Sequence, residues 1–149
     1  MARQVWIPVL ALTALFASGS AVAQERLAVI VSVDRQTELS RDEVAQIFLK
    51  KRRFWGEGEP IIPVNRNAAS AAREVFTRQI FDQEARFLRT YWNRLYFQGI
   101  LPPLTLASDE AVKRFVSREP NAIGYIDEKL VDASVRVLFL LDNSTASAP

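Results

Sequence analysis

The run from Leu27 to Val33, LAVIVSV, constrains the fold more than any other segment, because it is apolar and β-branched almost without interruption. A strand with one wet face alternates apolar and polar residues, whereas a strand covered on both faces does not. Leu27 to Val33 therefore implies a parallel or mixed sheet with helices on either side. Further strands are predicted at Ile61 to Val64, Leu104 to Ala107, Asn121 to Ile126 and Val135 to Leu141. Gly124, inside one of them, is placed to let a neighbouring backbone or a ligand approach closely.

Helical signals fill the gaps between these runs. Ser40 and Glu43 make a capping box, and Val44, Ile47 and Phe48 follow at helical spacing, which predicts a helix from Arg41 to Leu49. A second helix is expected from Ala68 to Gln79. Asp82 is expected to cap a third, in which Leu88, Tyr91, Trp92, Leu95 and Tyr96 recur at steps of three and four. Such a stripe reads as core rather than as an exposed stacking platform. Gly99 ends this helix as a left-handed cap, and Pro102 and Pro103 prevent its continuation. Ser108 and Asp109 open a last helix with Val112, Phe115 and Val116 pointing inward, and Pro120-Asn121 closes it. The alternation makes the expected fold class α/β, a mixed, mostly parallel sheet flanked by helices.

The sequence contains neither histidine nor cysteine. That removes disulfides, thiolate metal sites, an acylated cysteine, the usual zinc ligand and every Ser-His-Asp arrangement. Carboxylate chemistry is what remains, and the 17 acidic residues share no catalytic motif. No enzyme, catalytic residue, metal or cofactor is therefore expected.

Residues 1–23 combine Arg3, an apolar run from Val5 to Ala17 interrupted by Pro8, and the A-x-A pattern Ala21-Val22-Ala23, which is the pattern of a secretory signal peptide. The apolar run is short for a membrane span, although an uncleaved N-terminal anchor is the alternative. The expected organisation is a signal peptide at 1–23, one domain at 24–141 and a flexible tail at 142–149. The expected location is the periplasm, with no stable membrane insertion after cleavage. Loss of Arg3 takes the basic count from 19 to 18 against 17 acidic residues, a charge of about +1 that gives no global drive toward nucleic acid.

Partners must then be argued locally, and Ile61 to Phe76, IIPVNRNAASAAREVF, is where the sequence points. It reads as a buried strand running into a helix with arginines at the junction. The first turn of a helix carries unpaired N–H groups and the positive end of the macrodipole, so an anion placed there meets donors and field together. Asn65, Arg66, Asn67, Ser70 and Arg73 supply the side-chain donors. The alternative is that Asn67 only caps the helix while the arginines lie in solvent.

Three segments in this order, TELSRDEVAQIFLKKRRFW, IPVNRNAASAAREVF and SDEAVKRFVSREPNAIGYI, resemble the phosphate-binding family of ABC-transporter periplasmic proteins. In that family a helix ending like IFLGK precedes a tryptophan, a strand leads into an arginine and a Ser-Gly-Thr anion loop with a phenylalanine beyond it, and a PGAIGY-like strand follows. The counterparts here are Ile47 to Trp55, Arg66 to Phe76 and Pro120 to Tyr125. The resemblance covers most of Leu27 to Ile126 and implies a single periplasmic-binding-protein-like lobe, without the lobe that carries the first anion loop. It implies phosphate or a related oxyanion as ligand, carried by Arg66, Ser70 and Arg73, and an ABC transporter or another envelope protein as partner. Ala71 and Ala72 stand where the family has Gly and Thr, so one hydroxyl donor is lost and a methyl group enters the anion loop.

Two other features have structural explanations. The basic run Lys50 to Arg53 suits a helix C-terminus, where cations complement the dipole, as well as it suits an anion site. Trp55 after it reads as a plug at the edge of the core. The alternative to a solute-binding module is an interaction protein of the cell envelope that keeps the lobe fold without tight ligand binding.

Overall fold

The computed structural model describes residues 26–142 apart from 57, 83 and 84. Strand β1 (Arg26–Ser32) forms a five-stranded sheet with β2 (Ile62–Arg66), β3 (Leu104–Leu106), β4 (Ala122–Asp127) and β5 (Val135–Asp142), in the order β3-β2-β4-β1-β5, and lies between β4 and the edge strand β5. β2 pairs in parallel with β3 and β4, and β1 pairs antiparallel with β4 and β5. Four strands therefore point the same way and β1 alone runs against them. The sheet is mostly parallel in strand direction, while its pairings divide evenly.

Helices α1 (Arg41–Phe48), α2 (Ala71–Phe81), α3 (Ala85–Tyr96) and α4 (Asp109–Arg118) complete the layers. Leu27, Val29 and Val31 of β1 pack with Val44, Ile47, Phe48, Val75 and Phe76 of α1 and α2, whereas Ala28 and Ile30 pack with Val112 and Val116 of α4. β1 is thus covered on both faces, as its unbroken apolar run requires. The connections β2-α2-α3-β3 and β3-α4-β4 travel in opposite directions across the sheet. Right-handed crossovers then place α2 over one face and α4 over the other.

Local sequence explains most element ends. Ser40 accepts from the Glu43 amide while the Glu43 carboxylate accepts from the Ser40 amide, closing the capping box of α1. Ser108 Oγ caps α4 by accepting from the Ala111 amide. Gly99 has φ +75°, the left-handed conformation that glycine adopts without penalty. Trp55 is buried and donates its indole N–H to the Asn121 carbonyl, closing the edge of the core as expected. Gly124 has another use than the one anticipated. A Cβ there would lie 2.7 Å from Val112 Cγ1 and 3.3 Å from Val116 Cγ2, so the glycine admits the side chains of α4 rather than a backbone or a ligand.

Three expectations need correction. Helix α2 begins at Ala71 and not at Ala68, because Asn67 Oδ1 accepts from the Ala69 amide and closes a local turn, leaving Ser70 as the cap. Asp82 is the left-handed C-cap of α2, with its amide donating to the Arg78 carbonyl. The stripe of α3 is core only at its start. Leu88 and Tyr91 are buried and Trp92 and Leu95 are half-buried, but Tyr96 is 64% exposed. α3 is tied to the end of α1 through the Tyr91 hydroxyl, which donates to the Leu49 carbonyl at 2.7 Å, and the residues beyond emerge into solvent.

Among the described residues no helix is long and apolar enough to cross a membrane. The expected signal peptide and residues 143–149 of the expected tail lie outside the described residues, and β5 continues to Asp142, one residue past the expected domain end.

Candidate functional site

The β2–α2 junction brings the five candidate residues together in sequence but turns their side chains in different directions. Asn65 is buried at the end of β2, and its Oδ1 accepts from the Tyr125 hydroxyl at 2.9 Å. The same hydroxyl oxygen accepts from the Arg66 amide at 3.2 Å. Tyr125 is stacked on Phe76 with centroids 3.9 Å apart, so the ring is fixed and the junction hangs from it. Burial pushes the Tyr125 phenol up, against the opposing pull of the Arg66 amide and of the Arg73 and Arg66 charges. Asn67 is exposed and occupied by its own turn. Ser70 Oγ accepts from the Arg73 amide at 3.1 Å, which leaves its hydroxyl proton free to donate outward.

The two arginines differ. Arg66 forms an ion pair with Asp109, the first residue of α4, and donates to the Ala107 carbonyl at 3.3 Å. Both members are largely withdrawn from water, at 12% and 17% side-chain exposure. Asp109 also accepts from the Asp127 amide, so it ties β2, α4 and the end of β4 together. Arg66 is therefore charge-neutralised within the fold, although its Nε is buried without an acceptor. Arg73 donates from Nη1 to the Arg66 carbonyl at 3.2 Å and has no carboxylate partner among the described residues.

Ser70 stands between two cavities. The larger, a cleft of about 960 Å³ between α2 and α3, is lined by Ser70, Arg73, Arg78, Arg89, Leu88 and Trp92 together with Glu74 and Asp82. The smaller, about 260 Å³, holds Arg26 and Arg66 but also Asp109 and Asp127. The smaller cavity sets two arginines against two aspartates, whereas the larger sets three arginines against two carboxylates, so the larger cleft is the electrostatically suitable side. There the free hydroxyl of Ser70, the uncompensated guanidinium of Arg73 and the field of the α2 N-terminus converge. Among the described residues no group of three or more acidic side chains could hold a metal ion.

Sequence reasoning missed Tyr125, Asp109, Arg78 and Arg89. Tyr125 sits in a run of apolar β residues that says nothing about where its hydroxyl reaches. Asp109 reads as a helix-opening residue, and its pairing with Arg66 spans 43 positions that only the fold closes. Arg78 and Arg89 lie on helices whose relative placement no local signal sets.

No protein-family model matches the chain. Solved structures do. A protein described as a phosphate ABC transporter substrate-binding protein, with bound phosphate, from Clostridium perfringens superposes with a TM-score of 0.64 at 24% identity, over 76% of this chain and 44% of that one. An ABC-type phosphate transport receptor from Vibrio cholerae gives 0.62 at 21% identity over 76% and 45%, and PstS from Borrelia burgdorferi gives 0.61 at 16% over 76% and 46%. The sequence thus spans less than half the length of these proteins, and what it has in common with them is the fold, an α/β lobe of the periplasmic binding-protein type.

Proposed function

We propose that the chain is an exported, single-lobe solute-binding-like module that binds phosphate or a related oxyanion at the N-terminus of α2, in a role linked to phosphate uptake. The observation that carries this reading is Arg73, a guanidinium with no carboxylate partner among the described residues, beside the Ser70-capped helix start at the mouth of the larger cleft. The phosphate bound in the Clostridium perfringens protein of the same fold supports it. Ser70 donates its hydroxyl, Arg73 supplies charge, and Asn65 and Asn67 shape the junction. Arg66, held by Asp109, orients the loop more than it meets the ligand. A neutral hydrogen bond contributes about 0.5–1.5 kcal/mol and a charge-assisted one about 1.5–3, so one lobe with Ala71 and Ala72 in its loop binds weakly. The lobe performs no chemistry on its ligand. Residues 1–23 direct export to the periplasm, which mass analysis of the exported protein tests by looking for a chain starting at Gln24.

The test of binding is a thermal-shift titration with phosphate, sulfate and a phosphate ester against chloride at matched ionic strength. Ligand at a hundred times its dissociation constant stabilises by about 2.7 kcal/mol, several degrees for a domain of this size. Arg73→Gln should abolish that shift while leaving unfolding in buffer nearly unchanged. No shift in the parent chain would sink the reading. A second reading, an envelope interaction protein without a tight ligand, is favoured by the neutralisation of Arg66 and by the exposed aromatic side chains of α3, and it predicts no anion response.

A further inference from the structure

The far end of α3 and the loop after it present a surface that the anion site does not use. Tyr96, Phe97, Leu101 and Leu104 are between 45% and 88% exposed, with Phe97 the most. Tyr96 and Phe97 meet edge to face with centroids 6.1 Å apart, forming an exposed apolar tip that lines neither cleft. Contiguous apolar exposure of this kind marks a contact surface.

The segment that carries it is basic. Residues 85–107 contain three arginines and no aspartate or glutamate. Arg94 lies with its guanidinium 5.7 Å from the Tyr91 ring centroid, and neither it nor Arg89 has a carboxylate partner among the described residues. The Tyr91 hydroxyl, bound to the Leu49 carbonyl, sets the basic turn 50–53 beside α3. In that turn Arg52 pairs with Glu43, whereas Lys50, Lys51 and Arg53 have no carboxylate partner among the described residues. Burial, and then the charge of Arg53, holds the Lys50 ammonium below its usual range.

We propose that this face docks on an anionic lipid surface. A second copy of the chain would set arginine against arginine, so charge complementarity points to an anionic partner. An exposed tip of Tyr, Phe and Leu enters a headgroup layer without needing a shaped pocket, and aromatic rings settle at that depth. Anionic lipids attract each nearby Lys or Arg, and the two terms act together here because Arg94 and the basic turn gather at Tyr91, on the helix that ends in the tip. The contact is peripheral and reversible, distinct from insertion.

The test floats the full chain with phosphatidylcholine vesicles prepared with and without phosphatidylglycerol. Flotation is expected with the anionic vesicles alone and should decline as salt rises. Phe97→Asp/Leu101→Asp should weaken it by roughly tenfold or more, since it removes two apolar side chains from the contact. Both positions are exposed, so an unaltered thermal midpoint is expected for that variant. Arg53→Glu/Arg94→Glu, a second variant on the charged rim, should abolish the lipid selectivity. The proposal is overturned if wild type does not float. It is equally overturned if both variants float like wild type, which would assign attachment to the apolar run near the N-terminus. A concentration-dependent dimer lost in Phe97→Asp/Leu101→Asp, with no dependence on lipid charge, would give the face to a second copy and overturn it as well.

Discussion

Helices α3 and α4 both carry a regular apolar stripe, yet the fold treats them differently. On α4, Val112 and Val116 are wholly buried, and Gly124 beneath them has given up its side chain to let them in. On α3 the stripe is covered at Leu88 and Tyr91 and open by Tyr96. Periodicity identifies which side of a helix is apolar and is silent on what lies opposite. α4 crosses between two parallel strands and is pressed onto the sheet along its length, whereas α3 is an extra helix in the β2-to-β3 connection that rests on the end of α1. The first stripe is core, and the second is half core and half surface.

The contrast can be broken most directly at Gly124. Gly124→Val drives a branched side chain into Val112, and it should destabilise the protein by about 3 kcal/mol, the upper end of the usual cost of overpacking. Urea unfolding with an unshifted midpoint would show that α4 is not tightly seated. Next comes the anchor at the start of α4. Arg66→Ala leaves Asp109 without its partner; a broken, fully buried pair costs about 3–5 kcal/mol, and the residual exposure here reduces the expectation to about 2. Recovery of part of that loss in Arg66→Ala/Asp109→Ala, measured as a double-mutant cycle, would sharpen the assignment; full additivity would remove it. On α3 the comparable anchor is weaker. Tyr91→Phe deletes one hydrogen bond to Leu49 and should lower stability by about 1 kcal/mol, read from the same unfolding curves.

The smallest effect is a pH dependence at the edge of α4. The side-chain hydrogen bond from Ser134, with the Lys113 ammonium, holds the Asp132 carboxyl well below its usual range. A depressed folded pKa gives stability that is present above the unfolded value of about 3.9 and is lost as pH falls through the lower folded value. Asp132→Asn should therefore lower stability slightly at neutral pH, flatten the acid limb and meet the parent curve at low pH. An identical acid limb in the variant would mean that the pair contributes nothing.

Much of this was readable before any coordinates. The unbroken Leu27–Val33 run announced a strand covered on both faces, Ser40 with Glu43 announced a helix start, and Ser108 announced another. The junction at Asn65 to Arg73 was recognisable as a strand-to-helix turn. Its internal order was not. Asn67 and Ser70 are both good caps, and the choice between them rests on a local turn whose closure depends on where β2 ends. Arg66 and Arg73 look alike in sequence, but one is neutralised by Asp109 and the other is not.

Sequence alone determined most of the elements, the strand covered on both faces and the absence of histidine and cysteine chemistry, because these follow from residue type and short-range periodicity. Only the tertiary structure decided that β1 runs against its neighbours, that Arg66 meets Asp109, that Gly124 makes room for α4 and that α3 leaves its aromatic end in solvent. Each of these joins residues far apart in the chain. Such contacts are set by how whole layers pack, and no window of neighbouring residues contains that information.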